Sequence, residues 1–197
     1  MSYQYILYEK RDRIAYVTIN RPEVLNAINP PTSGELNHVW EDYMADTGLW
    51  VAILTGAGDR SFSVGADLKW RASQGERVRD PSYHDAAWGV AAQCLKPIIA
   101  AVNGYALGGG MALAMDCDII IAADHAQFGM PEPRIGYWVD DRVLKRIPYH
   151  LAMGIALTGK RFSAQEAYRM GLVNEVVPLD KLMPTAQQWA QEILECS

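Results

Sequence analysis

Two short apolar runs, "VAILT" at 51–55 and "IIAAV" at 98–102, each lead through a glycine-bearing loop into a stretch of helical character. A third run, "DIIIAAD" at 118–124, follows directly. Such runs read as short strands buried on both faces. Strands of that kind alternating with helices imply an α/β fold with a parallel, helix-covered sheet.

The second loop is "NGYALGGGMALAMDCD" at 103–118, with three adjacent glycines at Gly108, Gly109 and Gly110. Each glycine in a regular element forfeits roughly 0.5–1 kcal/mol of chain entropy. Two readings can offset that cost. The glycines form a tight strand-to-helix turn packed closely on a neighbour. Or their bare N–H groups, at a helix N-terminus, face a ligand oxygen. A phosphate loop does not fit, because Met111-Ala112 stands where Lys-Ser or Lys-Thr is needed, and GxGxxG is out of register. Donors with no cation and no hydroxyl suit a carbonyl oxygen that becomes negative during a reaction, an oxyanion hole. "SVGADLKW" at 63–70 is the other place where a strand unit passes a glycine into a helix. Both loops then lie at the carboxyl ends of parallel strands, so the N–H groups of Ala66 and Gly109 are expected to converge on one oxygen.

Elsewhere, residues 5–22 read as a hairpin with strands at 5–8 and 14–19 around a charged turn at 10–13. A helix is expected over 32–46, capped by Thr32 or Ser33, and another over 85–95, stopped by Lys96-Pro97. Helices at 150–159 and 163–171 follow, the second with a Ser163–Glu166 capping box and Gly171 as C-cap. A strand at 172–178 and a helix at 182–194 complete the reading. Nothing breaks the chain, so residues 1–197 are read as one domain, with a core to 180 and the start of a helical region at 181–197.

Composition excludes several function classes. Half of the 197 residues are hydrophobic, the net charge is -5, and no basic stripe appears, which argues against nucleic acid. Cys94, Cys117 and Cys196 form no CxxC pair and fit free thiols in a reducing compartment. The four scattered histidines lack metal-ligand spacing, so no metal is expected. No apolar run is long enough to span a bilayer, and "MSYQYILYEKRD" lacks the apolar core of a signal peptide. A cytoplasmic location is the expectation.

"NRPEVLNAI" (20–28), "AILTGAGDRSFSVGADLK" (52–69), "KPIIAAVNGYALGGGMALAMDCDIIIAADHAQFGMPE" (96–132) and "LTGKRFSAQEAYRMGLVNEVVP" (157–178) resemble the enoyl-CoA hydratase/isomerase family, the crotonase superfamily. The resemblance implies a superhelix of repeated ββα units. It implies an acyl-CoA substrate whose thioester oxygen sits between the N–H groups of Ala66 and Gly109, and no cofactor beyond the CoA moiety. It also implies assembly as a homotrimer or hexamer where the full C-terminal region is present; relatives run several tens of residues further.

The chain departs from the family's hydratases at one of two catalytic glutamates. Ala112 stands at the first position, and Glu132 matches the second. After "PE", the glycine-rich segment of the family is replaced by the shorter "PRIGYWVDDRVLKRIP" (133–148). Asp140 falls there where several branches resemble one another in carrying an active-site aspartate. Asp140 also reads as a helix N-cap, with Asp141 available for the same task. Glu23 replaces a lysine that many relatives place near the CoA phosphates. The expected function is an acyl-CoA enzyme that stabilises a thioester enolate, with Glu132 as acid/base in an apolar wall of Met111, Ala112 and Trp138. A lone glutamate suits an isomerase, and Asp140 as a second acid suits a hydratase. The alternatives are a thioester hydrolase of the same superfamily and a non-catalytic acyl-CoA-binding homologue.

Overall fold

A computed structural model describes residues 3–74, 91–137 and 139–196. The proposed wall residue Trp138 lies outside the described residues, as does most of the helix expected over 85–95; Ala91–Gln93 forms a single 3-10 turn.

The hairpin is present as β1 (Ile6–Arg11) and β2 (Ile14–Ile19), paired antiparallel. Its turn is tighter than expected, with Asp12 and Arg13 alone in the left-handed region at φ 53° and 66°. That geometry matches the twist of a two-residue hairpin. Four parallel strands continue the sheet from β2: β3 (Val51–Gly56), β5 (Ile98–Val102), β7 (Ile119–Ala123) and β10 (Glu175–Val177). Ile53 faces Ile99, and Ile99 faces Ile119, so the charge-free runs meet in one buried layer.

A second sheet lies beside the first, in the order β4 (Ser61–Ser63), β6 (Tyr105–Leu107), β8 (Gln127–Gly129) and β9 (Arg161–Ser163). Strands β3, β5 and β7 are each followed by a short strand in the second sheet and then by a helical segment. This is the repeated ββα architecture. The helices are α1 (Pro30–Ala45), α2 (Leu68–Ser73), α3 (Gly109–Asp116), α4 (Arg142–Arg146), α5 (Tyr149–Thr158), α6 (Ala164–Arg169) and α7 (Leu179–Glu195). Helix α7 lays Leu182, Ala186, Ala190 and Leu194 against β3, β5 and β7.

Two caps differ from expectation. Helix α1 starts at Pro30, and its cap is Asn29 rather than Thr32 or Ser33. The Asn29 Oδ1 accepts from Thr32 N at 3.0 Å and from Thr32 Oγ1 at 2.7 Å. Proline fits the first helical positions because no N–H is needed there. In α6 the Ser163–Glu166 box is present, but Met170 is the C-cap and Gly171 follows it at φ 76°. Two buried asparagines tie the loops around the end of β3. Asn26 donates to the carbonyls of Ala57 and Ser61, and Asn103 to those of Gly56 and Gly58. These bonds satisfy carbonyls that no ladder reaches.

Candidate active site

The loops after β4 and β6 meet. Gly65 has φ +83°, and a Cβ there would lie 2.8 Å from Gly109 N and 2.9 Å from Leu107 O. A side chain at Gly65 would push the two loops apart. Ala66 forms a parallel bridge with Ile28, made by Ile28 N to Gly65 O at 2.8 Å and Asp67 N to Ile28 O at 2.9 Å. Both bonds belong to the residues flanking Ala66, so its own N–H turns to the opposite side. Among the described residues, neither the Ala66 N–H nor the Gly109 N–H has a partner in the chain. The Gly108 N–H, by contrast, is used by Gly129 O at 2.8 Å.

The three glycines do separate work. Gly108 lies at φ 56°, ψ -127°, and a Cβ there would stand 2.8 Å from Glu132 Oε1. A Cβ at Gly110 would overlap the carbonyl of Ser63. Gly109 presents the unused N–H at the first position of α3. Close packing and a bare amide therefore coexist in one turn.

Glu132 opens the 3-10 turn Glu132–Ile135 after β8, with Pro131 before it and Pro133 after it. Its Oε2 is buried and has no partner among the described residues. Burial pushes the carboxyl up to about 7; its own backbone N–H opposes the shift, and the charge of Asp140 adds to it. A carboxylic acid that titrates near neutrality can both take and return a proton. Met111 and Ala112 are buried on α3.

Asp140 fills the capping role and also faces Glu132 electrostatically. Its Oδ1 accepts from Arg142 N at 2.9 Å, and its Oδ2 pairs with Arg142 Nη1 at 2.8 Å. Asp141 occupies the N-cap position of α4 but makes no cap bond; it pairs with Lys145 at the surface. Glu23 is exposed.

Two ion pairs beside the site were not foreseen from sequence. Asp67 caps α2 by accepting from Trp70 N at 2.9 Å, and pairs with Arg21 Nη2 at 2.9 Å. Arg21 also donates to Ala27 O, so Ala66 sits between two anchored residues. The signal was an Asp immediately before a helical run, the usual capping position. Asp116 pairs with Arg142 Nε at 3.0 Å. Its signal was that it is the first charge along an otherwise apolar helix. Among the described residues, no group of acidic, histidine or cysteine side chains could hold a metal ion. None of their helices is long and apolar enough to cross a membrane.

A family model described as "Enoyl-CoA hydratase/isomerase" matches residues 9–197. The chain belongs to the enoyl-CoA hydratase/isomerase family. It is 38% identical over 200 residues to the (E)-benzylidenesuccinyl-CoA hydratase of Thauera aromatica, covering 95% of this chain and 75% of that protein. It is 40% identical over 188 residues to the carnitinyl-CoA dehydratase of Escherichia coli, covering 92% and 71%. The crystal structure of an enoyl-CoA hydratase from Mycobacterium tuberculosis superposes with a TM-score of 0.86 at 40% identity, covering 96% of this chain and 75% of that one. Membership of the enoyl-CoA hydratase/isomerase family makes the chain an acyl-CoA enzyme of hydratase or isomerase type. Neither the thioester hydrolase nor the non-catalytic binder is favoured.

Proposed function

We propose that the chain is a hydratase-type lyase that adds water across the α,β double bond of an enoyl-CoA, or removes it, with Glu132 as its single acid–base group. The observation that carries this reading is a buried, unpartnered carboxyl oxygen on Glu132, whose other oxygen rests on Gly108 beside the free Gly109 amide. The names of the two relatives, a hydratase and a dehydratase, point the same way.

In the hydration direction, ionised Glu132 takes a proton from water as the oxygen bonds to the β carbon. The double-bond electrons move to the thioester oxygen. The enolate is held by the N–H groups of Ala66 and Gly109. The protonated Glu132 then returns its proton to the α carbon, and the C=O bond reforms. Atoms and charge balance with one carboxyl because the proton it takes is the proton it gives. Asp140 is already committed to Arg142, and Ala112 has no proton to move. This chemistry requires no cofactor beyond the CoA moiety of the substrate.

Ala112 also favours a second reading. A lone carboxyl can carry a proton between the α and γ carbons of a 3-enoyl-CoA, with no water added. Both are tested by offering trans-2- and 3-enoyl-CoA and following the absorbance of the conjugated thioester. Hydration consumes it in the first case, and isomerisation creates it in the second. Glu132→Gln is expected to lower either rate by about 10²–10⁴. Retention of more than a tenth of the rate on both substrates would reject Glu132 as the acid–base group.

A further inference from the structure

Helix α3 begins at the proposed oxyanion site and ends at Asp116, about 10 Å away at ~1.5 Å per residue. The Asp116 side chain is only 2% exposed, and its buried Oδ2 has no partner among the described residues. Its Oδ1 lies 3.0 Å from Arg142 Nε, while Arg142 Nη1 lies 2.8 Å from Asp140 Oδ2. One guanidinium therefore spans two carboxylates on different elements. The Asp140 carboxylate is further held by the Arg142 backbone N–H at 2.9 Å.

This arrangement is a poor way to add stability. A buried carboxylate with an unpartnered oxygen incurs desolvation that a single ion pair offsets only in part. Its effect on geometry is clearer. A planar guanidinium holds two partners at fixed angles, which a point-charge ammonium cannot reproduce. It also divides its charge between them, so Asp140 keeps part of its negative field.

We propose that Arg142, anchored by Asp116, is a positioning residue that fixes Asp140 and its charge relative to Glu132. The inference rests on the reading of Glu132 as the acid–base group. Asp140 then acts on Glu132 through space, and Asp116 acts only through Arg142 and Asp140. Among the described residues, the charged groups facing this cluster are Arg142 and Arg146 toward Asp116, and Asp140 toward both Asp116 and Glu132.

The test is the pH profile of kcat/KM for wild type, Asp116→Asn, Asp140→Asn and the double variant. Activity that needs ionised Glu132 rises with pH through an acid limb. Removing the Asp140 charge moves that limb to lower pH. Asp116→Asn turns the share of the guanidinium held by Asp116 toward Asp140, weakens the Asp140 field, and moves the limb in the same direction. It also lowers kcat by about tenfold with KM unchanged, the scale of a small misplacement. In the Asp140→Asn background, Asp116→Asn should add nothing to either change. Arg142→Lys should show the same non-additivity in kcat, which keeps the test available should Asp116→Asn fail to accumulate. An unmoved limb in Asp116→Asn, or effects that add in the double variant, would overturn the proposal. Glu132→Gln is measured alongside. If it stays active, the reading of Glu132 falls; if it is inactive while Asp116→Asn is silent, only the positioning role falls.

Discussion

Replacing Glu132 by glutamine should change stability in a way that depends on pH, and the sign follows from burial. The folded-state carboxyl titrates at about 7 against an ordinary 4.5. The native state therefore binds that proton more tightly than the unfolded chain does. Stability linked to Glu132 is complete below pH 4.5 and is lost as pH rises through 7. A difference of 2.5 pH units at roughly 1.4 kcal/mol per unit corresponds to about 3 kcal/mol. The glutamine variant carries no such loss, although its buried amide adds a pH-independent penalty of about 1–3 kcal/mol. The measurable quantity is thus the difference between variant and wild type, followed by urea unfolding from pH 4.5 to 8.5. That difference should climb by about 3 kcal/mol in favour of the variant. For a chain of this size, the thermal midpoint of the variant should rise relative to wild type by roughly 6–12 °C over the same range. A difference that stays flat across that interval would refute the burial argument, and with it the claim that Glu132 exchanges protons near neutrality.

Two further substitutions probe the glycine turn and its helix. Gly108→Ala, at φ 56° and with its new Cβ 2.8 Å from Glu132 Oε1, should lose about 1–3 kcal/mol of stability and about 10²-fold in kcat, with KM little changed. Thermal melts and turnover on an enoyl-CoA check both effects. Ala112→Glu restores a carboxylate where the family's hydratases resemble one another in having one. Separating hydrated from isomerised product by chromatography should show hydration favoured over isomerisation, at a stability cost of about 1–3 kcal/mol for crowding a buried site.

Much of the fold was legible because its strands are short, apolar and free of internal charge. Residues 51–55 and 98–102 match β3 and β5 within one position. The second sheet was harder to read residue by residue. Its strands have only three residues each, too few for a period-2 pattern to emerge, as in "SFS" at Ser61–Ser63. The Asn29 cap was missed because the two prolines after it resemble a loop until the helix they start is seen. Within the candidate site, the close approach of the loops that carry Ala66 and Gly109 could be read from their similar context. The Asp116–Arg142–Asp140 contacts could not, because the Asp116–Arg142 pair joins two distant parts of the chain through side chains whose reach no local pattern encodes.

The site's electrostatics rest on a division of labour between backbone and side chain. The enolate is assigned to fixed amide dipoles, which need no titration and hardly reorganise. In the proposed mechanism, proton movement is left to one carboxyl whose burial places it near neutrality. A second carboxylate at position 112 would add its negative charge beside the first and push Glu132 higher still, unless water or a hydrogen bond separated them. Ala112 removes that repulsion, and Asp140 supplies a repulsion of its own, tempered by Arg142. On this view, the loss of the carboxylate at 112 and the shared guanidinium at 142 are two parts of one setting of the Glu132 proton affinity. Ala112→Glu should therefore raise the acid limb of kcat/KM, whereas Asp140→Asn lowers it, and the two shifts should oppose each other in the combined variant.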